Sequence, residues 1–218
     1  MSPRTKEQNE EIRRQRKREI LQAALVVYAE KGYSATEIGD VAKQAGLARG
    51  LVYHYFENKQ ALFRELYEHM MNKTQQTTVS HFRQKGSVFE LFSEYARFVC
   101  RQVLEEPAVS RFYTRISLDI QYLYTEDDQF SSFEWVKTFI QPITSAMEKG
   151  MQQGTIRQGS ASLMAMQFWG AVSQGMHYLD QLKQELHRKE LSKTEIKEQL
   201  MEVLEQGIET ALAVIKPE

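Results

Sequence analysis

"AGLARGLVYHYFENKQAL", running from Ala45 to Leu62, decides the fold. Gly46 ends one apolar pattern, a second short pattern follows at once, and Asn58 opens a third. Upstream, "TEIGDVAKQAG" puts Ile38, Val41, Ala42 and Ala45 on one helical face, with Thr36 as the expected N-cap and Glu37 in the first turn. Leu47 is expected as a buried plug in the turn, and a short helix is expected from about Ala48 to Tyr55. Asn58 then caps a long helix with Leu62, Phe63, Leu66 and Met70 facing inward. Two short helices joined by a glycine-containing turn form the helix-turn-helix pattern, whose second helix fits the major groove of DNA.

The residue types suit that task. Arg49 stands near the start of the second helix, where an arginine can meet guanine O6 and N7 with two parallel hydrogen bonds. Gly50 permits close approach, and Tyr53, His54 and Tyr55 put polar tips on apolar rings. Lys59 falls in the first turn of the next helix, where its ammonium and the free N–H groups favour one phosphate.

The first helical pattern is "REILQAALVVYAEKG", with Ile20, Leu21, Ala24, Val27 and Tyr28 inward and Gly32 as its stop. Five of the six residues from Arg13 to Arg18 are basic, forming either a solvated first turn or an arm toward phosphates. Residues 1–14 are carried as a flexible basic arm. Charge follows the same division: residues 1–64 carry +4 and residues 65–218 carry −5, within a net −1. A basic head on an acidic body points to a polyanion partner for the head.

The remainder is also helical by pattern. Phe89, Phe92, Tyr95, Ala96 and Val99 share one face before Pro107, and Val109, Phe112, Ile116, Ile120 and Leu123 share the next. Phe133, Val136, Ile140, Ile143, Met147 and Met151 form a third face, with an expected kink at Pro142 and a C-cap at Gly154. Two long helical segments close the chain, and "KQELHRKELS" between them either extends a helix or forms a loop. No stretch alternates as a half-buried strand does, so the fold class is all-α.

Several function classes are disfavoured. Cys100 is the single cysteine, which excludes an internal disulfide framework and a multi-cysteine metal site. No window supplies the roughly 20 apolar residues of a membrane helix. The charged N-terminal stretch lacks a signal-peptide core, so a cytoplasmic location and no membrane partner are expected. A di-iron bundle needs two Glu-x-x-His pairs, whereas Glu65 lies four residues before His69 and Glu185 two before His187. No P-loop, GxGxxG or HExxH motif occurs, and no catalytic residue, metal or cofactor is assigned.

"TEIGDVAKQAGLARGLVYHYFENKQALFREL" resembles the DNA-binding region of the TetR family of bacterial transcriptional regulators. The likeness rests on Thr36, Ala42, Ala45-Gly46, Gly50, Tyr53, Tyr55-Phe56, Lys59 and Leu62, and it covers about residues 16–66. "MEKGMQQGTIR" adds a short phrase similar to one late in the family's ligand-binding domain. The resemblance implies about nine helices. Three of these form a helix-turn-helix domain, placed at residues 1–64, and a ligand-binding and dimerisation domain follows at 65–218. It also implies DNA-contacting roles for Thr36, Ala48, Arg49, Gly50, Tyr53, His54, Tyr55 and Lys59. This chain departs from the family at Ala48 and Leu51, where a hydroxyl is frequent, and at Gly39, so base readout rests chiefly on Arg49 and His54.

The expected function is a ligand-responsive regulator. It is a repressor that binds a palindromic operator as a dimer and is released by a small lipophilic effector. A helical small-molecule-binding protein and an activator are the alternatives. Candidate pocket residues are Tyr95, Phe98, Phe112, Tyr113, Ile116, Tyr122, Trp135, Phe139, Met147, Phe168, Trp169 and His177. Candidate dimer-interface residues are Gly170, Ser173, Leu200, Val203, Leu204, Gly207, Ile208 and Ala211, which join a wide apolar stripe to small residues that permit close helix approach.

Overall fold

A computed structural model describes residues 5–124, 131–189 and 191–217, without the side chains of residues 117 and 132–135. The described residues form nine α-helices and no strand: α1 (Lys6–Ala35), α2 (Ile38–Gln44), α3 (Arg49–Tyr55), α4 (Lys59–Phe82), α5 (Val88–Glu105), α6 (Pro107–Asp119), α7 (Ser132–Gln152), α8 (Ala161–Arg188) and α9 (Lys193–Ala213). A 3-10 turn at Ile120–Tyr122 follows α6. The helices divide into two units, Met1–Met70 with Arg111–Gln129 and Met71–Ser110 with Phe130–Glu218. Residues 65–70 and 111–124 thus join the first unit, where the sequence placed everything after residue 64 in one body. Their apolar side chains are the reason: Phe112 and Ile116 are buried, and the Phe112 ring lies 5.4 Å from that of Tyr28.

In the first unit α1 begins well before the apolar pattern. Thr5 and Gln8 form a reciprocal cap, with the Gln8 amide donating to Thr5 Oγ1 at 3.2 Å and the Thr5 amide to Gln8 Oε1 at 3.0 Å. The basic run is neutralised along the helix surface: Arg14 and Arg18 pair with Glu11 at 2.8 and 2.9 Å, and Arg16 pairs with Glu19 at 2.7 Å. Lys17 reaches Glu65 on α4 at 2.6 Å. Residues 6–14 are therefore helical rather than a flexible arm, because caps and ion pairs supply what apolar periodicity does not.

Ile20, Ala24, Tyr28, Val41, Leu62, Phe63 and Leu66 are buried in the first unit, as their spacing predicts, and Val52 is buried with them. The Tyr28 ring lies 5.5 Å from Phe63, so α1, α4 and α6 share one aromatic cluster. Burial of this size is the main favourable term for a small helical unit.

In the second unit α8 packs against α5, α7 and α9, and α5 packs against α7 and α9. The core joins Phe82, Phe92 and Phe168, with Phe92 lying 4.8 Å from Phe82 and 4.9 Å from Phe168 between ring centres. Arg97 on α5 grips Glu205 on α9 through two hydrogen bonds of 3.0 and 2.8 Å. The polar "KQELHR" stretch continues α8 to Arg188, and α7 runs on through Pro142 as one helix.

Half of the expected dimer residues face this core instead. Leu200, Leu204, Ile208 and Ala211 are buried within the second unit, because α9 turns one apolar row onto α5 and α8. Gly170, Ser173, Val203 and Gly207 are half-buried.

Candidate nucleic-acid interface

The turn between α2 and α3 is built by backbone bonding. Gly46 takes a left-handed φ of 66°, the Gly46 amide donates to Lys43 O at 3.2 Å, and the Leu47 amide donates to Ala42 O at 2.9 Å. This is a Schellman closure, and glycine is needed at its left-handed position. Leu47 is half-buried rather than fully buried in the turn. Ala48 occupies the N-cap of α3 with no side-chain cap bond, as its missing hydroxyl requires.

Val52 is fully buried and Phe56 is 3% exposed, so two apolar side chains seat α3 on the unit. The opposite face is open. Ala48, Arg49, Gly50, Tyr53 and His54 are exposed and Tyr55 is half-buried, and a side chain added at Gly50 would meet nothing within 4 Å. Helical geometry puts residues 49, 50, 53 and 54 on one face, an unobstructed strip one helix wide.

Arg49 lies along Tyr53, with Nη2 3.4 Å from the hydroxyl and Cζ 5.7 Å from the ring centre. The Tyr53 hydroxyl, then its charge, raises the Arg49 pKa from its ordinary value, so the guanidinium stays cationic. The His54 ring meets that of Tyr55 edge-on at 5.3 Å. The sequence-predicted reading residues thus lie together on α3, each supported by a neighbour rather than by a rigid cage.

Thr36 and Lys59 are placed differently. Thr36 is fully buried and its hydroxyl donates to Gly32 O at 2.7 Å, so it closes the end of α1 rather than capping α2. Glu37 and Asp40 cap α2 instead, with the Glu37 amide donating to Asp40 Oδ2 at 3.2 Å. The Lys59 ammonium donates to Thr36 O at 2.9 Å and Ser34 O at 3.2 Å and sits 4.6 Å from the Tyr33 ring centre. Two of its three donors are spent tying α4 to the loop before α2, leaving the third for an outside acceptor. Asn58 caps α4 as expected, accepting from the Ala61 amide at 2.8 Å.

The sequence reading missed the support behind Tyr33. Asp119 Oδ2 accepts from the Tyr33 amide at 3.1 Å, and the Tyr122 ring stacks on Tyr33 at 5.7 Å with planes 2° apart. These contacts join residues 86 or more positions apart, beyond what local periodicity can signal.

The twelve candidate pocket residues do not form one group. Phe112, Tyr113, Ile116 and Tyr122 belong to the first unit, where Tyr113 donates to Met70 O at 3.0 Å. Tyr122 is exposed on its outer side. In the second unit Tyr95, Met147 and Phe168 are buried, Phe139 and Trp169 meet edge-on at 5.0 Å, His177 contacts Gln181 at 2.9 Å, and Phe98 is exposed. The Trp135 side chain lies outside the described residues. A cleft of about 620 Å³ does open in the second unit, but none of the twelve lines it. Burial pushes the Cys100 thiol up to about 11, which keeps it protonated and unreactive at neutral pH. No helix among the described residues is long and apolar enough to cross a membrane.

Residues 20–66 match the sequence profile of the bacterial regulatory proteins of the tetR family. The chain is 38% identical over 68 residues to the HTH-type transcriptional regulator AcrR of Shigella flexneri, a match spanning 31% of this chain and 30% of that protein. It is 25% identical over 149 residues to the fatty acid metabolism regulator protein of Bacillus subtilis, spanning 68% of this chain and 75% of the relative. Among solved structures, the transcriptional regulator FadR from Bacillus subtilis in complex with stearoyl-CoA shares the fold, with a TM-score of 0.64 and 20% identity over 88% of this chain and 98% of that one. AibR in complex with isovaleryl coenzyme A and operator DNA shares it too, with a TM-score of 0.60 and 22% identity over 72% of this chain and 84% of that one. These proteins are transcriptional regulators, not enzymes.

Proposed function

We propose that the chain, whose residues 20–66 match the TetR family of bacterial transcriptional regulators, is a ligand-responsive repressor that binds a palindromic operator as a dimer and is released by a fatty acyl thioester. The open face of α3 carries this reading: Arg49, Gly50, Tyr53 and His54 project from a helix anchored by Val52 and Phe56. Arg49 supplies base contact, Tyr53 and Tyr55 supply phosphate contacts, and Lys59 supplies a phosphate contact with its remaining donor.

A dimer is supported by the outer faces of α8 and α9. Leu163, Met166 and Tyr178 on α8 are 57%, 47% and 55% exposed. A Cβ added at Gly170, Gly175 or Gly207 would meet nothing within 4 Å, which leaves room for a helix from a second copy. Two reading heads about 34–36 Å apart then match a palindrome. The ligand acts by favouring a different spacing, which lowers DNA affinity by linkage.

The effector class is supported by the likeness to a fatty acid metabolism regulator and to two regulators solved with acyl-coenzyme A thioesters. Selecting DNA from a random pool with the purified protein gives the operator. Adding palmitoyl-CoA to the complex should then release it, whereas release by no acyl thioester would contradict the effector reading.

A further inference from the structure

The cleft in the second unit lies where the last turn of α5, the last turns of α8 and the first turns of α9 converge. Arg101, Lys183, Lys193 and Lys197 line it against one carboxylate, Glu105. This concentration of cations stands in the part of the chain that carries the excess of Asp and Glu. At about 620 Å³ the cleft has the size of a small-molecule site, for which roughly 300–1,000 Å³ is typical.

Three of these four cations make no hydrogen bond or ion pair of their own among the described residues. Lys183 donates to the carbonyl of Leu104 and so caps α5. Arg101, Lys193 and Lys197 donate to no hydrogen bond or ion pair among the described residues. Arg101 lies near Glu205, but both oxygens of that carboxylate are already held by Arg97. Lys193 is the first residue of α9, where the positive end of the helix dipole disfavours a cation. Lys197 follows one turn later on the same face, a like-charge pair that weakens a helix. An anion seated in the cleft turns each of these unfavourable placements into an attraction.

We infer that this cleft binds a phosphate-bearing head group, and, resting on the acyl-thioester reading above, that it holds the phosphates of coenzyme A. Buried Leu200 and half-buried Ile196 line the same cleft, which suits a ligand with an apolar part beside its phosphates. The chemistry is general to phosphates: ammonium and guanidinium groups around an opening with little opposing charge.

The test is calorimetric titration of the full-length protein with coenzyme A and with inorganic pyrophosphate, comparing wild type with K193E/K197E. An acidic residue in place of Lys193 suits the first turn of α9, and the thermal melt of the double variant checks that it folds. Coenzyme A binding that weakens tenfold or more in the variant, and also weakens with added salt, supports the inference. The same loss with pyrophosphate alone assigns the site to free polyphosphate and still supports a phosphate site. Binding of neither probe by wild type, or equal binding by both proteins, overturns it. Release of operator DNA by palmitoyl-CoA is measured on the same two proteins. Equal release from both overturns the cleft assignment and keeps the effector reading. No release from wild type, with coenzyme A binding still lost in the variant, overturns the effector reading and keeps the phosphate site.

Discussion

Asp119 on α6 accepts a hydrogen bond from the hydroxyl of Tyr28 on α1 at 2.9 Å, across 91 positions of sequence, with the same oxygen that accepts from the Tyr33 amide. Tyr28 is fully buried, so its hydroxyl has no water to fall back on. Replacing Asp119 with Ala should cost about 1–3 kcal/mol in denaturant unfolding, the usual penalty for stranding a buried polar group. Y28F should cost less, because both partners of that bond are then apolar or solvated. The Y28F/D119A double variant should be less destabilised than the two single changes summed, and strict additivity would contradict the coupling.

The buried tyrosines set the alkaline limit. Burial, then the nearby Asp119 charge, raises the Tyr28 pKa, and burial, then Tyr124, raises that of Tyr67. Burial pushes Tyr95 up to about 12 although its contact with Thr78 acts the other way. A raised folded-state pKa leaves stability intact below the unfolded value of about 10 and removes it as pH rises toward the folded value. Stability should therefore fall above pH about 10, by up to about 1.4 kcal/mol per pH unit for each such tyrosine. Y28F should flatten that fall in a urea series from pH 9 to 11.5, and an unchanged slope would contradict the assignment.

Gly32 holds a φ of 75° inside α1, and an added Cβ would lie 3.0 Å from Arg115 Nη1. G32A should destabilise by about 1–2 kcal/mol, chiefly from the left-handed backbone. The measurement is a thermal or urea midpoint. A neutral result would show that the turn relaxes to another conformation without cost.

Much of the head is legible in sequence because its signals are local. Gly46 must close the turn, Asn58 must cap α4, and Leu62, Phe63, Leu66 and Met70 fall inward one helical turn apart. Thr36 misleads for a physical reason: a threonine before a glutamate resembles an N-cap, yet the chain turns at Gly32 and places the hydroxyl on the Gly32 carbonyl. The row of Leu200, Leu204, Ile208 and Ala211 reads as a surface for a second copy, but α5 and α8 already cover it. Asp119 with Tyr28, and the cations of the α5–α8–α9 cleft, are brought together only by tertiary packing.

Arg49 and Lys59 should separate by the kind of damage they do. Arg49 is exposed and bonded only weakly to Tyr53, so R49A should leave stability within about 0.5 kcal/mol and relax base preference at one position of each half-site. K59A removes bonds to two backbone carbonyls, so it should lower both stability and affinity for every sequence alike. Parallel binding and melting measurements on the two variants check this contrast.

Fluorescence anisotropy of a labelled operator, selected from random DNA, reads base recognition and ligand release together when it is titrated with wild type and R49A and then with palmitoyl-CoA. Wild type should bind tightly and with salt sensitivity, R49A should lose discrimination between operator and single-base variants, and the thioester should release the wild-type complex. Equal discrimination by R49A and wild type, or a complex indifferent to acyl thioesters, would contradict the proposed repressor function.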